Sequence, residues 1–190
     1  MSNDENGEQS FGRWLIETVL MVLLALVLAQ GIKAYLVQPF VIPSGSMIPT
    51  IQEKDRVLAE KITYRFMRQP QRGEVVVFDN PTRNPAERAA APILIKRLIA
   101  VGGQTVDLRQ SVVYIDGVAL DEPYTHGLPS EPQNPEITYP LTLPADSFWM
   151  MGDNRTNSGD SRQFGPVSKS AILGHAVWTY WPPKAFGVLE

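Results

Sequence analysis

Apolar residues follow two regimes along the chain. From Trp14 to Leu36 they run almost unbroken, and between Val19 and Ala29 no side chain is charged or strongly polar. As a helix this stretch would be about 34 Å long, enough to cross a bilayer core. Glu17, Gln30 and Lys33 fall near its ends, where long side chains reach the headgroups, and Trp14 and Tyr35 sit where interfacial aromatics belong. The preceding segment is acidic rather than basic, and no small-residue cleavage site follows closely, which argues against a cleaved leader. A helix apolar on every face would need a larger protein around it to be a core helix. The pattern therefore predicts a membrane anchor over residues 13–37, after an unstructured acidic tail over 1–12.

Beyond the anchor the apolar runs are short and β-branched. Strands are expected at 40–42, 55–62, 74–78, 93–101, 148–151 and 172–182. A hairpin is expected at 113–120, where Asp116-Gly117 supplies a two-residue turn. Residues 79–92, rich in Asn, Pro, Arg and Ala, read as a surface loop, and 121–140 as an excursion from the core. The chain has 16 prolines in 190 residues, which disfavours long helices and supports a mainly β domain over 38–190.

Composition removes several function classes. A net charge of −3 without a long basic run gives no electrostatic case for nucleic acid. With no cysteine, and with His126 and His175 far apart, neither a disulfide nor a zinc site is expected. The few charges around the apolar stretch, Arg13 before it and Lys33, Lys54 and Arg56 after it, do not set its orientation.

Three segments carry candidate chemistry. Pro43-Ser-Gly-Ser-Met-Ile-Pro-Thr50 brackets Ser46 between two prolines, as a presented nucleophile or as an ordinary linker leaving an anchor. A serine needs a base, and the strand Ile93–Val101 offers Lys96. On a strand Lys96 shares a face with Leu94 and Leu98, and Arg97 shares the other with Ile95 and Ile99. Burial there would lower the lysine pKa and let it accept a proton, although an isolated strand lysine is more commonly paired or snorkelling. The third segment, Gly152-Asp-Asn-Arg-Thr-Asn-Ser-Gly-Asp-Ser-Arg162, sets two arginines against two aspartates. Arg155 and the missing distal Glu break a calcium-loop pattern. His175, in the closing strand, reads as structural.

Together with Gly73-Glu-Val-Val-Val-Phe78, these segments closely resemble, in order, the boxes of bacterial type I signal peptidases. The resemblance implies a β domain of strongly bent antiparallel sheets, with a short inserted subdomain within about residues 107–145. It implies a membrane-anchored Ser/Lys endopeptidase that removes signal peptides from exported preproteins, using no metal or other cofactor. Its partners would be those preproteins and the lipid bilayer, with the secretion machinery met by proximity only. The N-terminus would be cytoplasmic and the catalytic domain extracytoplasmic. By position, Ser46 would be the nucleophile and Lys96 the general base. Ser44 and the Ser46 backbone N–H would form the oxyanion hole, and Ser158 would hydrogen-bond Lys96. Asp153, Asp160 and Arg162 would buttress the site, with Met47 packed near it. Shallow apolar pockets would be lined by some of residues 40–48 and 93–98. The chain departs from the family pattern at Val101-Gly-Gly-Gln104, where Leu-Pro-Gly-Asp is frequent, and at Thr156, where Asp is common. Two other readings are a Ser/Lys self-cleaving regulator, whose DNA-binding segment would have to stand where the apolar stretch is, and a non-catalytic anchored β scaffold.

Overall fold

The computed structural model describes residues 5–189. The chain divides into two compact units, one ending at Val37 and the other starting at Gln38. The first is a single helix, α1 (Glu5–Tyr35), whose segment Phe11–Gly31 has a mean hydropathy of 2.0 and buries none of its apolar side chains in protein. The helix starts inside the stretch expected to be unstructured, of which residues 1–4 lie outside those described. Extending an existing helix adds one hydrogen bond per residue fixed, so the acidic residues can continue a helix that they could not nucleate.

The second unit is mainly β. Its strands are β1 (Val37–Val41), β2 (Arg56–Glu60), β3 (Val75–Asp79), β4 (Ile93–Val101), β5 (Thr105–Arg109), β6 (Val112–Ile115), β7 (Val118–Ala119), β8 (Leu141–Thr142), β9 (Ser147–Met151), β10 (Val167–Ser168), β11 (Ile172–Trp181) and β12 (Gly187–Val188). Eight of them form one curled sheet in the order β1-β2-β11-β3-β4-β9-β10, with β12 on β11. The other four form a smaller sheet, β7-β6-β5-β8, built from residues 105–142. Asp116 and Gly117 both have positive φ (53° and 82°), as a primed hairpin turn requires. At the departure Val101–Gln104 the turn is kept, because the Gln104 side chain accepts the Val101 N–H at 3.1 Å.

The central strands read as continuous apolar runs because they bury both faces. Val75 and Val77 of β3 join Met47, Ile51, Val57 and Ile95 on one side. Val76 and Phe78 join Leu98, Phe148 and Met150 on the other. Trp149 and Met151 of β9 and Ile99 of β4 pack on Val106, Val113 and Ile115, which joins the two sheets. Each such fully buried side chain contributes about 1.5–3 kcal/mol, enough to hold a costly lysine in the central strand β4. The expected loop 79–92 contains a short helix, α2 (Pro85–Ala90). Asn84 caps it by accepting the Ala86 N–H at 3.0 Å, and Pro85 fits its first turn.

Candidate active site

Ser46 lies in a tight 3-10 turn, Gly45–Met47, that follows β1. The turn is buried, and Met47 fills the core beneath it beside Ile51, Val57 and Ile95. Two bonds from the 152–162 loop hold its backbone. The Asn154 N–H donates to the Ser46 carbonyl at 3.1 Å, and Asn154 Nδ2 donates to the Gly45 carbonyl at 3.0 Å.

Lys96 arrives from the middle of β4, paired in register with Val76. Its Nζ is hydrogen-bonded to Ser46 Oγ at 2.7 Å and to its neighbour's carbonyl, that of Ile95, at 3.0 Å. Lys96 is only 3% exposed. Burial lowers its pKa from the usual 10.5 to about 8, although the carboxylates of Asp160 and Asp153 pull it back up. Desolvation thus wins over two nearby negative charges, and a substantial share of the amine is neutral in mildly alkaline solution. An unprotonated amine in contact with a serine hydroxyl is the pair that can generate a serine nucleophile.

The Ser44 hydroxyl is 3.5 Å from Ser46 Oγ, at the exposed edge of the turn. Asp153 accepts two bonds from Arg97, from Nε at 2.9 Å and Nη2 at 2.8 Å, and a further one from the Thr50 hydroxyl. Asp160 accepts Arg162 Nε and Nη2, both at 2.9 Å, and the Gly152 N–H at 3.0 Å. Both ion pairs are buried, so each is held by its hydrogen bonds as much as by charge. Ser158 departs from expectation. Its buried Oγ has no hydrogen-bond partner, while Lys96 Nζ is turned to Ser46 and its own strand. Ser158 packs instead over Gly152, where an added Cβ would stand 2.3 Å from Ser158 Oγ and 2.5 Å from the Ser46 carbonyl oxygen. Thr156 is exposed and outside these ion pairs. His175 stacks on Tyr64 with ring centroids 5.6 Å apart, and burial lowers its pKa, which fits the structural reading.

A cleft of about 810 Å³ opens over Ser44, Ser46 and Lys96. Leu94 continues its floor, as the strand pattern suggests, but its walls come from α2 and the loop before it, from residues 134–137, and from residues 157–165. The walls from α2 and from residues 134–137 lie outside the three segments singled out in the sequence, and neither Arg97 nor Asn154 was assigned a part in the site. Arg97 was visible only as a second charge in an apolar strand, and Asn154 as one more polar residue in a polar loop. Among the described residues no group of three or more His, Asp or Glu side chains is arranged to hold a metal ion.

Residues 15–181 match the family described as signal peptidase, peptidase S26. Signal peptidase I of Leptolyngbya laminosa is 39% identical over 92% of this chain and 84% of that protein. Probable signal peptidase I-2 of Synechocystis is 39% identical over 93% of this chain and 77% of that protein. A crystal structure of a signal peptidase I from Enterococcus faecalis V583 covers 57% of this chain and 97% of its own, with 34% identity and a TM-score of 0.45.

Proposed function

The chain belongs to the signal peptidase family, peptidase S26, and on that premise we propose that Ser46 and Lys96 are the nucleophile and general base with which it cuts signal peptides from exported preproteins. The observation that carries this reading is the 2.7 Å contact between Ser46 Oγ and a buried lysine amine. Neutral Lys96 takes the Ser46 proton as Oγ attacks the scissile carbonyl, giving a tetrahedral intermediate. Lys96 then passes that proton to the leaving amine, and the C–N bond breaks. Water, deprotonated by the same lysine, attacks the acyl-enzyme ester and frees Ser46 and the new carboxyl end. Ser44 Oγ, with the Ser46 N–H, is proposed to receive the oxyanion, and each such donor is worth about 2.7–4 kcal/mol.

The arginine-paired Asp153 and Asp160 are proposed to fix the 152–162 loop against the nucleophile turn. The apolar helix anchors the enzyme in the membrane, and the proposed orientation puts the N-terminus in the cytoplasm and the domain from Gln38 onward outside. The test is cleavage of a preprotein by the detergent-solubilised full chain, with the new N-terminus identified. Ser46→Ala is expected to abolish the cut while the thermal transition stays almost unchanged, because the Lys96 amine keeps its bond to the Ile95 carbonyl. Cleavage at the normal rate would overturn the assignment.

A further inference from the structure

The excursion after the hairpin, residues 121–134, is bonded to the 152–162 loop and to Gln163 just after it at several points. Glu122 accepts two hydrogen bonds from Arg155, from Nη1 at 2.8 Å and Nη2 at 2.6 Å. Arg155 is only 1% exposed, and two further donors go to Ser130 Oγ at 2.6 Å and to the Gly152 carbonyl at 3.0 Å. The Tyr124 hydroxyl donates to the same carboxylate at 2.8 Å. The Tyr124 ring lies under the Arg97 guanidinium, 4.1 Å from its centre, and 5.9 Å from that of Arg155. Arg97 in turn grips Asp153. Further along, Gln133 donates to the Ser158 carbonyl at 3.0 Å, and Asn134 to that of Gln163 at 2.9 Å.

The contacts made through Arg155 and Arg97 converge on Gly152 and Asp153, the two residues just before Asn154, whose N–H holds the Ser46 carbonyl. We propose that Glu122, acting through Arg155 and Tyr124, is a positioning residue that sets where Ser46 stands relative to Lys96. The excursion is thereby a working part of the catalytic apparatus and not a decoration of the fold. Arg155 is a buried charge, so taking away its carboxylate leaves it uncompensated and drives rearrangement of the backbone that it holds. That backbone carries the nucleophile turn, and displacement of a reacting group is felt in the rate more than in ground-state binding.

The proposal rests on the Ser46–Lys96 reading and is tested in the full chain with a signal-sequence peptide. Glu122→Gln is expected to lower kcat by about tenfold or more while KM stays within about twofold. Amide exchange should speed up in residues 152–156 while β3 and β4 keep their protection. Should Glu122→Gln fail to fold, Ser130→Ala removes one acceptor of Arg155 without adding volume, and it should show the same split at about threefold. Normal kcat in a folded Glu122→Gln or Ser130→Ala protein, with or without faster exchange, would reduce the contact to local stability and overturn the proposal. Failure of the parent reading would look different, because Ser46→Ala would then still cleave.

Discussion

The buried amine of Lys96 makes the pH profile the most informative measurement. Free lysine has a pKa of 10.5, and burial brings this one to about 8. At pH 7 about one molecule in ten then carries a neutral base, roughly three hundredfold more than with an unperturbed lysine. If Lys96 is the base, as proposed, protonation removes it, so kcat/KM for a signal-sequence peptide should rise tenfold per pH unit up to about 8 and level off above it. The same shift works against stability. Between about pH 8 and 10.5 the unfolded lysine holds a proton that the folded one lacks, so stability should rise with pH through that window by about 3 kcal/mol. Below pH 8 both states are protonated and the full burial penalty stands. Lys96→Arg should be inactive at every pH, since a guanidinium stays charged. An acid limb centred near 10.5, or normal cleavage by Lys96→Arg, would refute the reasoning.

Gly152→Ala should cost about 1–3 kcal/mol and most of the activity, because its Cβ would meet the Ser46 carbonyl and cannot be relieved by a rotamer change; a shift in melting temperature with unchanged kcat would contradict this. Asp160→Ala leaves Arg162 buried and unpaired, so chemical denaturation should show a loss of about 3–5 kcal/mol. Protease added to intact spheroplasts of a bacterial host should digest the domain after Gln38, and full protection would reverse the proposed orientation.

What was legible in the sequence was local. The unbroken apolar run gave α1, and the β-branched stretches gave the central strands within a few residues. A lysine and an arginine inside β4 could be recognised as buried because apolar residues flank them on both faces. The partnership of Glu122 with Arg155 left no trace, since it joins an aperiodic segment to a polar loop 33 positions away. The helix α2 was hidden because its six residues are too few to show a period. Ser158 shows the reverse case: its position in the loop was clear, but the direction of its hydroxyl depends on packing over Gly152, which no spacing encodes.

The place of β11 has a consequence for how the enzyme comes into being. In the strand pairing of the large sheet, among the described residues, β11 stands between the half that bears the Ser46 turn, β1 and β2, and the half that bears Lys96, β3 and β4. That strand, Ile172–Trp181, leaves a ribosome after Ser46, Lys96 and the 152–162 loop. From residue 96 until residue 172 a nascent chain therefore owns both proposed reacting groups and still lacks the strand that joins their two halves of the sheet. Translation order thereby sets the earliest point at which the pair can be aligned in one sheet.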